Sequence, residues 1–191
     1  MQIRFTRMKE FPIFLVLVGI SIIITITNPS FATLENFLDL LRGNLTLIIM
    51  ALGMLLIILT GGIDVSVASI ITAVNCIIGY FLINVSSNIF MAILLAILAG
   101  TALGLINGLL IARLKIPPIV ATLGTMSIIL GTVLYLTNGN WMTGIPDNFI
   151  KFGRTMLFPV TLESGRSIGL PIQIIFAFPA IFISFHLSKV G

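Results

Sequence analysis

Charge is what this chain lacks. Only 8% of its 191 residues are Asp, Glu, Lys or Arg, against 58% hydrophobic ones, where an ordinary soluble domain carries about 25% charge. So much apolar surface, at a mean hydropathy of +1.22, has only lipid to face. The other scarcities each exclude a class of chemistry. A lone cysteine, Cys76, rules out an internal disulfide or a Cys-x-x-Cys redox pair. A single histidine, His186, has no second ligand nearby in sequence, so no metal site is expected. No Gly-x-Ser-x-Gly, His-Glu-x-x-His or Gly-x-x-x-x-Gly-Lys-Ser/Thr occurs, so neither a catalytic constellation nor an ATP-binding loop is expected. The net charge of +4 gathers into no basic stripe of the kind nucleic acid requires.

What is present is hydrophobic length. Six segments reach the roughly 17–25 residues that a membrane helix needs: 11–27, 45–63, 65–84, 89–112, 117–137 and 168–188. Pro12, Pro117 and Pro171 stand at segment starts, where a missing N–H costs nothing. Pro179 is mid-segment and should kink the sixth helix. The expected fold class is all-α, a polytopic transmembrane helix bundle forming a single domain over 1–191. Arg4, Arg7 and Lys9 before the first segment place the N-terminus in the cytoplasm by the positive-inside rule. Arg113, Lys115 and Lys189 then fall inside, while Lys151, Arg154 and Arg166 fall outside against the rule. Ser30-Phe31-Ala32 also fits a signal-peptide cleavage site, although the preceding apolar run is long for one.

Between Asn44 and Ala112 the one charged side chain is Asp64, within Leu-Thr-Gly-Gly-Ile-Asp-Val-Ser-Val (59–67). A carboxylate at that depth costs several kcal/mol unless it meets water or a partner. Gly61 and Gly62 before it suggest a break in the helix. Two readings stay open: Asp64 or Ser66 caps the next helix, or they form a gate or passage element at a broken helix. Thr122 and Thr125, three residues apart and so on one helix face, either satisfy their own backbone or line a passage. Ala96, Gly100, Gly104 and Gly108 recur at every fourth position, a stripe that lets a neighbouring helix approach closely. The 138–167 stretch reads as a polar, Gly-rich loop holding the only tryptophan, Trp141. That residue is expected at the membrane–water interface, with sugar stacking or contact with an external soluble partner as the alternatives.

Thr-Gly-Gly-Ile-Asp-Val-Ser-Val (60–67), Asn-Gly-Leu-Leu (107–110) and Ile-Pro-Pro-Ile-Val-Ala-Thr-Leu-Gly-Thr (116–125) resemble the permease subunits of bacterial ABC importers for sugars. These are the ribose, xylose, arabinose, rhamnose and autoinducer-2 type permeases, and Asn-Trp-Met-Thr-Gly-Ile-Pro (140–146) is most similar to the autoinducer-2 branch. The resemblance implies a multi-pass protein of the bacterial inner membrane that needs no cofactor and is not itself an enzyme. It implies three partners: ATP-binding subunits inside, an extracytoplasmic sugar-binding protein outside, and a second permease subunit, identical or different. Family members continue past this length, with a cytoplasmic loop that docks on the ATPase and further helices. The expectation is therefore a truncated permease, with a non-functional remnant as one alternative and a proton- or cation-coupled secondary carrier, using Asp64, as the other. Ala68 stands where many relatives have glycine.

Overall fold

A computed structural model describes residues 11–161 and 167–175. The chain is a run of helices, α1 (Phe11–Thr27), α2 (Leu34–Leu59), α3 (Val67–Asn84), α4 (Ile89–Ala112), α5 (Pro118–Thr137) and the short α6 (Asp147–Gly153). Two paired strands follow, β1 (Met156–Thr161) and β2 (Ser167–Pro171). Helices α2 to α5 are long and apolar enough to cross a membrane, and α1 is a shorter apolar helix. The protein is thus an all-α polytopic membrane protein, with four such helices among the described residues, five with α1.

The chain divides into two compact units. One comprises residues 1–44 and 158–170, the other 45–157 and 171–191. In the first, α1 carries three hydroxyls inside an apolar sequence. Each returns its proton to the preceding turn, Ser21 to Leu17 O, Thr25 to Ser21 O and Thr27 to Ile23 O, which removes the cost of an unpaired polar group in lipid. A short 3₁₀ turn, Pro29–Ala32, leads into α2. That helix begins at Leu34, eleven residues ahead of the hydropathy-based start at 45. Thr33 is the reason: its Oγ1 accepts from Asn36 N at 3.3 Å, an N-cap that starts a helix irrespective of hydropathy. Glu35, Asp39 and Arg42 ride on this first part of α2, and their charge hides it from an apolar-run reading.

The second unit holds the helix bundle. Helix α3 packs chiefly against α4 and α5. Its buried face comprises Ser69, Ala73, Gly79 and Leu82, small residues that let neighbouring backbones come close. Ala96 and Gly100 of α4 are half-buried, and a Cβ at Gly100 would lie 3.8 Å from Val74 Cγ2 of α3. Among the described residues, Gly104 and Gly108 are exposed and a Cβ there meets nothing within 4 Å. The buried face of α4 instead swings through Ala92 to Asn107. Helix α4 is capped by Asn88, whose side chain accepts from Met91 N. Helix α5 begins on Pro117 and Pro118 and ends on Asn138 in the left-handed region at φ 50°.

Two expectations change here. The 138–167 stretch contains α6 and β1 rather than being loop throughout, and the sixth segment does not begin as a helix. Residues Ser167–Pro171 are strand, and Pro171 is buried within it rather than opening a helix. Pro159 in β1 and Gly169 in β2 are strand-weakening residues, so the hairpin carries little sequence signal. The segment beyond Ile175, with Pro179 and His186, lies outside the described residues.

Candidate functional site

Helix α2 stops for a backbone reason. Gly61 takes φ +77°, Gly62 N donates to Ile57 O at 3.0 Å and Gly61 N to Ile58 O at 2.9 Å. This pair of bonds is the Schellman C-cap, and its left-handed residue is best supplied by glycine. A Cβ on Gly62 would sit 3.2 Å from Ile57 Cγ2, so both glycines are used. The chain then leaves helical geometry until α3 starts at Val67, and Asp64, Val65 and Ser66 lie on this break.

Three helices tie the break down with hydrogen bonds. Asp64 Oδ1 accepts from Ser66 N at 2.7 Å and from Ser66 Oγ at 2.6 Å. Ser66 Oγ in turn accepts from Asn107 Nδ2 of α4 at 2.7 Å. On the other side, Thr122 Oγ1 of α5 accepts from Val65 N at 3.3 Å while donating to Pro118 O at 2.9 Å. Ser69 Oγ closes the first turn of α3 onto Ser66 O at 2.6 Å. Ser66, Ser69, Asn107 and Thr122 are all buried, whereas Asp64 is half-buried.

The proton positions follow from valence. Ser66 Oγ has a single proton and donates it to Asp64 Oδ1, so its lone pair receives the N–H of Asn107. That fixes the orientation of the Asn107 amide, with Nδ2 toward Ser66. The chain of donors runs Asn107 to Ser66 to Asp64 and delivers partial positive charge to the carboxylate. Asn107 Oδ1 is buried with no hydrogen-bond partner among the described residues, a group that costs about 1–3 kcal/mol where nothing meets it.

The four residues expected to form a gate are therefore unequal in position. Asp64 and Ser66 are joined directly, and Thr122 holds the same break from the opposite helix. Thr125 is half-buried and donates to Thr122 O at 3.1 Å, a bond to its own helix. Ser66 is the residue before α3, but its side chain makes no capping bond; the N–H two residues past Asp64 is satisfied by Asp64 itself. Asn107 is the member that residue-by-residue reading missed. The signal was there: a carboxamide inside an otherwise apolar helix has to find a partner.

Comparison with known proteins gives this arrangement its setting. The sequence profile described as "Branched-chain amino acid transport system / permease component" matches residues 36–191. The chain belongs to this permease family. It is 36% identical over 189 residues to the ribose import permease protein RbsC of Bacillus subtilis (strain 168), covering 96% of this chain and 55% of that protein. Against RbsC of Haemophilus influenzae it is 32% identical over 162 residues, 84% of this chain and 48% of the relative. The autoinducer 2 import system permease protein LsrC of Yersinia pseudotuberculosis serotype O:3 (strain YPIII) is 35% identical over 136 residues, 71% of this chain and 38% of the relative. The chain thus spans about half the length of the ribose permeases it matches. No solved structure matches it.

Proposed function

We propose that this permease-family chain is part of the membrane pathway of an ATP-driven importer for a sugar or sugar-like small molecule, in the bacterial inner membrane. The observation that carries the reading is the half-buried Asp64 carboxylate at the α2–α3 break, connected through Ser66 to α4 and flanked by Thr122 of α5. A broken helix end with an acid, inside a bundle, is a conformationally adjustable element in a place where lipid would otherwise forbid free backbone. The names of the relatives, ribose and autoinducer 2 import permeases, support a small polar cargo.

The basic N-terminal residues Arg4, Arg7 and Lys9 set the N-terminus inside. Alternation then brings the α2–α3 break, the end of α4 and the start of α5 to the cytoplasmic side, and the α3 and α5 C-termini outside. Asp64, Ser66, Asn107 and Thr122 accordingly form the inner gate, next to where ATP-binding subunits act. An extracytoplasmic sugar-binding protein and a second permease subunit complete the assembly. Gly104 and Gly108 are exposed among the described residues and are the surface on which α4 meets that second subunit.

The test is uptake of radiolabelled D-ribose by a permease containing this chain, assembled with its ATP-binding and sugar-binding partners. ATP-dependent uptake that persists when an uncoupler collapses the proton gradient is expected. Uptake abolished by the uncoupler at constant ATP would identify a proton-coupled carrier instead.

A further inference from the structure

Helices α5 and α6 are joined by a strap, residues 141–146, that carries no regular secondary structure. Hydrogen bonds fix the chain on both sides of it. Before the strap, the N–H groups of Asn138, Gly139 and Asn140 return to Tyr135 O, Leu134 O and Thr137 O at the end of α5. After it, Asn148 Nδ2 of α6 donates at 3.0 Å to Ser87 O, in the connection from α3 to α4. Among the described residues no hydrogen bond reaches 141–145. Packing alone decides where this stretch lies.

Met142 and Ile145 are its two half-buried members, while Trp141 is 93% exposed and anchors nothing within the chain. Met142 meets α3 at buried Gly79. Its sulfur lies 2.6 Å from where a Cβ on Gly79 would be, with its own Cβ and Cγ at 3.7 and 3.8 Å. The missing side chain at Gly79 is thus a notch, and the thioether of Met142 fills it. Seated there, the strap forms one wall of a groove between α3 and α5 that Cys76 also borders.

We propose that Met142 is an oxidation site and that its sulfoxide releases the strap from α3. Hydrogen peroxide transfers one oxygen atom to the sulfur, which gives up two electrons, and leaves as water. The product is a polar, bulkier side chain in place of a flexible apolar one. The sulfur already occupies the space that a side chain on Gly79 would take, so the notch has no room for a further atom. Mid-helix amides of α3 are spent on the helix's own bonds, and an acceptor buried without a donor is costly. The added oxygen gains a partner by leaving the notch for water, and no hydrogen bond at 141–145 opposes that departure. This latch does not depend on the importer reading; only its placement on the external side does.

Cys76 is the chain's only cysteine, so its reactivity reports the strap in the unaltered protein. The full chain in dodecyl maltoside is treated with hydrogen peroxide and then with dithiothreitol, which returns an oxidised thiol but leaves the sulfoxide. Peptide mass locates the oxygen, and alkylation of Cys76 by N-ethylmaleimide is timed. We expect Met142 to oxidise and alkylation to speed up several-fold, with methionine sulfoxide reductases restoring the parent rate. Met91 is 46% exposed and will oxidise too, but it sits on α4 and holds no strap. Met142→Leu, an apolar side chain of similar volume, should therefore alkylate at a rate that peroxide does not change. Gly79→Ala and, independently, Met142→Gln should alkylate fast without peroxide. The proposal is overturned if Met142 stays unoxidised while Met91 reacts, or if its oxidation leaves Cys76 unchanged. Equal acceleration in Met142→Leu, or slow alkylation in Gly79→Ala or Met142→Gln, would overturn it as well. None of these outcomes bears on the importer reading, which ATP-dependent ribose uptake decides separately.

Discussion

Removing the Ser66 hydroxyl is the perturbation with the most defined cost. Ser66→Ala deletes two bonds, to Asp64 Oδ1 at 2.6 Å and from Asn107 Nδ2 at 2.7 Å. Asp64 keeps the Ser66 N–H at 2.7 Å and, being half-buried, can recruit water. Asn107 has neither recourse. It is 4% exposed and its Oδ1 already lacks a partner, so the whole carboxamide becomes orphaned. A buried donor left unpaired costs about 1–3 kcal/mol, and Ser66→Ala should destabilise by about 2 kcal/mol. Asn107→Leu behaves differently, because it removes the amide together with its unpaired oxygen while Ser66 still donates to Asp64. Replacing buried polar groups by apolar ones of similar shape is close to neutral, and this variant should lie within about 1 kcal/mol of the parent. In the Asn107→Leu background, Ser66→Ala should then cost only the bond to Asp64, so the two changes couple by about 1 kcal/mol. The assay is reversible unfolding in mixed detergent micelles by SDS titration, followed by circular dichroism across the four proteins of the cycle. Additivity within about 0.5 kcal/mol, or a silent Ser66→Ala, would refute the Asn107–Ser66–Asp64 relay.

Other outcomes follow from the same geometry. Gly61→Ala forces a Cβ into a left-handed residue at φ +77° and should cost about 1–2 kcal/mol in the same titration, with Gly61→Asn milder; a neutral alanine would mean that α2 is not ended by this cap. A Cβ at Gly104 meets nothing within 4 Å among the described residues, so Gly104→Leu should leave the stability of the chain within about 0.5 kcal/mol, while weakening association between permease subunits measured by cross-linking. Unchanged cross-linking would show that this face of α4 meets lipid.

Hydropathy and breakers made much of the bundle legible. The segments at 11–27 and 89–112 coincide with α1 and α4, and 117–137 differs from α5 by one residue, because Pro12, Asn88, Pro117 and Pro118 mark those ends chemically. Helix α2 was misjudged at both ends. Its charged beginning is silent to an apolar-run reading, and Gly61-Gly62 close it at Leu59, four residues before the apolar run ends. Asp64 stood out as a lone charge, but its partners could not be read from spacing. Asn107 is 41 positions from Ser66 and Thr122 is 57 from Val65, so only the packing of α3 between α4 and α5 brings them together.

The central claim is that the Asp64 charge, held at the α2–α3 break, serves passage rather than folding. Asparagine offers the same Oδ1 acceptor to Ser66 N and Oγ, and it caps a helix about as well as aspartate. Asp64→Asn should therefore insert and match the parent in SDS titration. ATP-dependent D-ribose uptake by the assembled permease carrying Asp64→Asn should nonetheless fall at least about tenfold, equivalent to about 1.4 kcal/mol. Uptake equal to the parent, with Asp64→Leu alone impaired and destabilised, would contradict the account and reduce Asp64 to a helix cap.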